Sequence, residues 1–354
     1  VIRLEPRTAP PAWLALAAPI GALAAALALS TAILAAIGIA PGPALRLLLE
    51  GAAGSPFALA ETATRATPLV LTGLAAAIAF RARFWNIGAE GQLYLGAMAA
   101  VAVGAGALEG PAWLLVPLVL LAGALAGALG VLLPALGKVK AGADEVVTTL
   151  LLNFVIALFV QMMLEGPMKD PMGLGWPQSP PLLDEAMLPR LVERQRLHAG
   201  LLLGLGLAIL LQLVVSRTVF GLGVRAVGHN PRAAAYAGLP VARTTLLVAM
   251  LSGALAGLAG AAEVAGLKGY LTADLSPGYG YAGIVVAMLA GLSPLAVVPA
   301  AFLVAAVFVG ADTMGRTLGI SSYFADLVVA LALLFVLVGG LFARYRLRLG
   351  RAAA

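Results

Sequence analysis

The sequence predicts an all-α, polytopic membrane protein of about ten transmembrane helices. Three observations carry that expectation. The 354 residues are 62% hydrophobic and 11% charged, whereas a soluble domain is typically about 25% charged. The mean hydropathy is +1.03, more apolar surface than a water-exposed fold of this length can hide, so lipid must serve as solvent. The basic residues, which give a net charge of +6, gather at the ends of apolar runs, which is membrane topology rather than a phosphate-binding face. Nucleic acid is therefore not an expected partner. The absence of cysteine removes disulfides, thiolate catalysis and Cys-ligated metal centres.

A spanning helix needs about 20 mostly apolar residues. The runs are 12–39, 67–80, 92–107, 111–136, 145–164, 199–215, 244–267, 281–292, 294–311 and 323–342. We take residues 1–354 as a single transmembrane domain. The first run is longer than a secretory h-region of about 7–15 residues, so it reads as a retained helix. A first residue Val1 rather than Met points to a trimmed or incomplete amino terminus. The second and eighth runs are short and adjoin glycine-rich polar stretches, the sequence sign of a central pathway. Basic residues such as Arg81, Arg83, Lys138, Lys140, Arg217 and Arg225 concentrate on one side. With ten spans this puts both termini in the cytoplasm and the acids mostly outside, together with Arg65. The external connection 165–198 carries six prolines, which favour turns and extended backbone; 191–197 is expected as a short surface helix. It is either a docking surface or slack.

On the cytoplasmic side, 216–243 reads differently. Asn230 suits an N-cap, Pro231 a first helical position, and Gly238 with Pro240 a stop. A helix of about two turns over 231–237 results. It either seats its small-residue face and Tyr236 in a partner's groove or is an ordinary capped loop helix.

No phosphate-binding loop or dinucleotide fingerprint is present. The two histidines, His198 and His229, stand apart in connections, so neither is read as a metal ligand. No paired nucleophile is visible inside the bundle, which argues against an intramembrane enzyme. The polar residues at membrane depth are therefore the informative ones. The chain is organised around Phe84-Trp85-Asn86-Ile87-Gly88-Ala89-Glu90-Gly91-Gln92. Asn86 and Glu90, four apart, would share a helical face. Either these residues line a gate or substrate route, or they form a polar network that stitches a broken helix to its neighbours. Thr149, Asn153 and Gln161 read as one polar stripe on the fifth span, facing the bundle. Glu263 enters a third cluster that runs to Tyr281. Glycines 123, 127 and 130 in the fourth span and 253, 257 and 260 in the seventh mark close helix contacts.

These residues carry a resemblance. Residues 84–92 look like the F-N-I-G-x-E-G-Q signature of the permease subunits of ABC importers for nucleosides and simple sugars. That branch lies within the larger branched-chain amino acid and ribose permease family. The stretch 142–153 is similar to the family's G-x-N-E-V-[IV]-x-T-[IL]-M-L-N segment, with Asp144 where Asn is usual. Arg225-Ala226-Val227-Gly228-His229-Asn230-Pro231 resembles the coupling-helix motif, with His229 where Glu or Thr is usual. Residues 279–291 resemble a G-[FY]-x-G-I-A-V-A-L-L-G stretch.

The resemblance implies a type II-like ABC importer bundle in the bacterial inner membrane. It implies ATP and Mg on a separate ATPase subunit, with no cofactor or metal in this chain and no enzyme activity of its own. A second, related permease and a periplasmic or lipid-anchored binding protein would complete the assembly. Asn86, Glu90, Gln92, Asn153, Gln161 and Glu263 would lie along the substrate route. Gly228, Asn230, Pro231, Ala234, Tyr236 and Gly238 would couple to the ATPase. The rival is a stand-alone secondary transporter, in which Glu90 or Glu263 binds a proton or sodium ion.

Overall fold

The computed structural model describes residues 2–6, 12–36 and 38–349; Val1, 7–11, 37 and 350–354 lie outside them. The chain divides into two compact units, 1–62 with 303–354 and 63–302, with the boundaries inside two helices.

In the first unit, α1 (Ala12–Ala36) packs against α13 (Ser322–Arg344). Between α1 and the start of α3 lies α2 (Pro41–Ala53). Hydropathy alone missed α2 because it is short and amphipathic. It is opened by Pro41 at a helix start and meets the second half of α12 (Pro294–Leu318), where a Cβ on Gly51 would fall 2.5 Å from that of Thr313. The two strands named among the described residues form one ribbon: β1 (Ile2–Pro6) pairs antiparallel with β2 (Tyr345–Leu349), Arg3 opposite Arg348. The two ends of the described chain therefore lie on one side of this unit.

The second unit holds most of α3 (Pro56–Arg81), then α4 (Ala89–Gly104), α5 (Ala112–Ala141), α6 (Glu145–Glu165) and α7 (Gly200–Arg217). It continues with α8 (Val219–His229), α9 (Pro231–Tyr236), α10 (Val241–Glu263) and α11 (Tyr279–Leu289), and ends in the first turns of α12. Each of the ten predicted runs contains a helix among the described residues. Seven helices among the described residues are long and apolar enough to cross a membrane: α3, α5, α6, α7, α12, α13 and α10 with its extension to Lys268. The second run is not short. Glu61 and Arg65 cut its hydropathy, yet the helix runs through them from Pro56 to Arg81, past Pro68. Its apolar window is 94% buried within the protein, so its polar side chains face protein partners rather than lipid. Arg65 accordingly stands inside α3, not in an external segment. Among the helices of the predicted spans the short ones are α4, with 16 residues, and α11, with 11.

α10 is the axis of this unit, packed on α4 and α5. The glycines read as close contacts make them: a Cβ on Gly257 would fall 2.9 Å from Gly127 Cα, and one on Gly253 would fall 2.7 Å from Val131 Cγ1. Backbones can approach this closely only without side chains between them. After Glu263, α10 widens into a π-helical turn, Val264–Lys268, closed by Gly269 at φ 78° with its N–H on the Val264 carbonyl. Such turns are frequent at functional sites.

The 165–198 connection is not slack. Ser179 and Leu271 exchange two hydrogen bonds, and the Leu182, Leu183 and Leu188 amides bond to the Gly269, Gly104 and Ala265 carbonyls. Leu182, Ala186, Leu188 and His198 are buried beneath it. The segment thus caps the ends of α4 and α10. The expected helix at 191–197 is instead a tight turn, with the Leu191 N–H on the Leu197 carbonyl and Arg194 at φ 59°.

Candidate functional site

The link Ala82–Gly88, between α3 and α4, is not helical, so its amides and carbonyls need partners from elsewhere. They come from four helices. The α6 side chains reach it first. Thr149 Oγ1 accepts from the Ile87 N–H at 3.1 Å. Asn153 Oδ1 accepts from the Gly91 N–H at 2.9 Å, while its amide nitrogen donates to the Ile87 carbonyl at 2.9 Å and to the Tyr281 hydroxyl at 3.1 Å. Glu145 Oε1 accepts from the Trp85 N–H at 3.3 Å and from the Lys138 ammonium. Lys138 also donates to the Arg83 carbonyl at 3.0 Å and lies over the Phe84 ring. Asp144 caps α6 through the Val146 N–H at 2.8 Å, satisfying a free helix-start donor.

The inner half of the joint is an amide pair. Asn86 Nδ2 donates to Gln92 Oε1 at 2.8 Å and to Ser252 Oγ at 3.0 Å. Gln92 Nε2 returns a bond to Asn86 Oδ1 at 3.0 Å, which also accepts from the Gly88 N–H at 3.0 Å. The Ser252 hydroxyl donates in turn to the Ala75 carbonyl of α3 at 2.8 Å. Asn86 and Gln92 are each 1% exposed. Asn86 pairs with Gln92 rather than sharing a helical face with Glu90, because the helix begins only at Ala89.

Glu90 opens the other side. Its Oε2 accepts from the Gly280 N–H of α11 at 2.6 Å, and Gly280 lies against the Glu90 backbone, where a Cβ would fall 2.6 Å from Glu90 Cα. The two short helices therefore meet at a carboxylate and a glycine. Tyr94 holds the segment that enters α11: its hydroxyl donates to the Ala273 carbonyl at 2.7 Å and accepts from the Ser276 N–H at 3.2 Å. Arg65 donates to the Tyr279 hydroxyl at 2.6 Å.

Glu263 lies near the end of α10, 2% exposed, with Oε2 free of any hydrogen bond and the charges of Arg65, Lys268 and Arg196 acting on it. It does not join the Asn86 network. Neither does Gln161, which is exposed and donates to Glu165 at 3.3 Å. The buried stripe of α6 is Glu145, Thr149, Asn153, Ile156, Val160 and Leu164. At 3.6 residues per turn Gln161 lies about 120° from Thr149, on another face. Sequence reading missed Ser252 and Arg65 as members of these networks. Ser252 was detectable only as the lone hydroxyl beside the glycine run of α10. Among the described residues no group of three or more His, Asp or Glu could hold a metal ion.

On the Arg81 side of the unit, α8 packs under α3. The side chain of Arg225 donates to the Val215 carbonyl, and Gly228 faces the Arg81 carbonyl, with room for no Cβ. Thr218 caps α8 through the Gly221 N–H at 3.1 Å. Asn230 caps α9 through the Arg232 and Ala233 N–H groups at 3.0 and 3.1 Å. Gly238 at φ 80° ends the turn, with the Leu239 N–H on the Ala234 carbonyl. Ala234 is buried, whereas Tyr236 is 97% exposed. α9 is thus held firmly from behind, with its aromatic residue displayed.

The model of the branched-chain amino acid transport system / permease component family matches residues 58–337, which covers the joint and α9 together. The chain belongs to that family. Curated members give the same result. The glucose ABC transporter permease TsgB13 of Haloferax volcanii is 36% identical over 98% of this chain and 93% of its own length. The guanosine ABC transporter permease NupP of Bacillus subtilis is 34% identical over 90% of this chain and 92% of its own. The nucleoside ABC transporter permease NupB of Lactococcus lactis is 29% identical over 82% of each. No solved structure matches the chain. As a member of the family, this chain is a multi-pass permease subunit of an ABC importer, a class that works with ATPase and substrate-binding components. A stand-alone secondary transporter is not favoured.

Proposed function

We propose that this permease carries a nucleoside, or a related ribosyl or simple-sugar compound, inward across a bacterial inner membrane, with both termini cytoplasmic. ATP and Mg act on a separate ATPase, a second related permease completes the route, and a periplasmic or lipid-anchored binding protein delivers substrate. The chain itself performs no catalysis. The relatives named for guanosine, nucleosides and glucose support that substrate class. The observation that carries the coupling role is α9: a six-residue helix, capped at both ends, whose Tyr236 is 97% exposed. Gly228, Asn230, Pro231, Ala234 and Gly238 fix its geometry and Tyr236 meets the ATPase.

In this reading Asn86, Gln92 and Asn153 frame the route, since each has its polar atoms engaged within the fold. Glu90, at the contact of α4 with α11, is the group that changes partners as the bundle rocks between inward and outward states. Tyr236→Asp tests the assignment in reconstituted vesicles. ATP hydrolysis continues while uptake is lost, and the variant inserts normally. Unchanged uptake refutes it. A panel of nucleosides and sugars in the same assay reads the substrate.

A further inference from the structure

The external connection contains a closed loop whose tip is apolar and uncovered. Asp170 ties its two ends: the Asp170 N–H bonds to the Gln178 carbonyl at 2.8 Å, and its carboxylate accepts from the Met172 N–H at 2.9 Å and from the Gln178 amide at 3.3 Å. A second turn, from the Trp176 N–H to the Gly173 carbonyl at 2.9 Å, folds the tip. Leu174 is held at φ 51°, a conformation that non-glycine residues seldom adopt. The result displays Met172, Leu174 and Trp176 at 85%, 97% and 72% exposure. From Pro171 to Pro177 there is no charged residue.

The attachments of this loop set where its base lies. α6 ends its membrane-crossing stretch at Glu165, and the chain then turns back, with the Met168 N–H on the Met163 carbonyl at 2.8 Å. The other end of the loop bridges Gln178 to Thr272, four residues beyond Lys268, where the α10 span ends. Both ends of the loop are thus pinned within five residues of span ends, which by length and composition puts its base near the level where headgroups begin. Tryptophan is enriched at that level, its ring apolar on one side and its N–H able to reach water or a headgroup. Lys169 at the base is exposed and can reach lipid phosphate. A tip built for a soluble partner would present three large apolar side chains to water between docking events, whereas lipid covers them continuously.

We propose that residues 171–177 form a membrane-interface anchor, with Met172, Leu174 and Trp176 inserted at the headgroup–acyl boundary of the leaflet where α6 and α10 end. The proposal rests on the membrane-spanning fold and is independent of the substrate and ATPase assignments. The lack of cysteine supplies the test: Leu174→Cys carries the sole thiol of the chain. The full chain, assembled with its transporter partners in liposomes, is spin-labelled there and relaxed with oxygen, which concentrates in lipid, or with a water-soluble nickel chelate. The label is expected to respond several-fold more to oxygen, while one at Arg194→Cys, on the exposed polar turn, responds more to nickel. A nickel-dominated response at Leu174→Cys overturns the anchor, and so does protection from both reagents, which would mean a protein cover. Should that variant fail to assemble, quenching of tryptophan emission by brominated lipid is compared between the natural chain and Trp176→Phe. Equal quenching in the two refutes insertion.

Discussion

Asn86→Ala measures how much of the fold rests on the amide pair. The substitution removes four hydrogen bonds: those to Gln92 Oε1, Ser252 Oγ, the Gly88 N–H and Gln92 Nε2. Hydrogen bonds inside membrane bundles average about 0.6 kcal/mol, which puts the loss near 2.4 kcal/mol if the orphaned groups find new partners. At 1% exposure for Asn86 and Gln92 replacements are scarce, and each buried group left unpaired costs about 1–3 kcal/mol. The Gln92 amide and the Gly88 N–H are the groups at risk, while Ser252 keeps the Ala75 carbonyl. The expected destabilisation is therefore about 2–5 kcal/mol, or roughly 3–7 °C in Tm for a chain of this size. Thermal unfolding followed by tryptophan fluorescence reads it. Gln92→Ala and the double variant complete a cycle, and the double variant should fall short of the summed losses by about 1 kcal/mol or more. A single-variant shift under about 1 °C, or strict additivity, would refute the claim that these side chains form one network.

Three further outcomes follow from the same geometry. Glu90→Gln keeps an acceptor for the Gly280 N–H but removes the charge, so the complex should assemble while uptake falls; normal uptake would demote the carboxylate to a hydrogen-bonding role. Gly257→Leu would drive a side chain into the Gly127 backbone, and loss of folded, membrane-inserted complex is expected on expression, whereas Gly21→Leu, in open space, should be tolerated. Desolvation pushes the pKa of the buried His198 down to about 4 from 6.5. The unfolded chain therefore binds the proton first as pH falls, and stability should drop between about pH 6.5 and 4 by up to roughly 3 kcal/mol. His198→Phe should flatten that slope, and an unchanged pH profile of unfolding would count against it.

What the sequence made legible was whatever depends on local period and length. Apolar runs became helices because lipid and packed protein both reward the same composition, and the Asn230–Pro231 start and Gly238 stop of α9 are chemical signals readable without a fold. One misreading comes from hydropathy, which registers lipid, not protein, as the surroundings. α3 looked short because Glu61 and Arg65 interrupt it, yet its neighbours are protein. Gln161 looked inward because eight-residue spacing was treated as a whole number of turns, when each such step drifts by about 80°. α8 escaped notice although Thr218, three residues before Gly221, carries the cap that begins it.

The joint itself was visible as a concentration of amides and glycines, but its wiring was not, because its partners come from four helices distant in sequence. That wiring bears on how the bundle can move. Asn86, Gln92 and Asn153 bind the link to α4, α6 and α10 with neutral, paired groups, and α11 adds one neutral bond, from Asn153 to the Tyr281 hydroxyl. Breaking them at membrane depth strands polar atoms, so a cycling transporter should move this block as a rigid body. By contrast, α4 meets α11 and the turn before it through one carboxylate, Glu90, which accepts from the Gly280 N–H and is also held by Ser276 and the Gly278 backbone. A carboxylate can exchange one donor for another or for water without stranding neutral amides, so the expected place of opening is this contact rather than the amide pair.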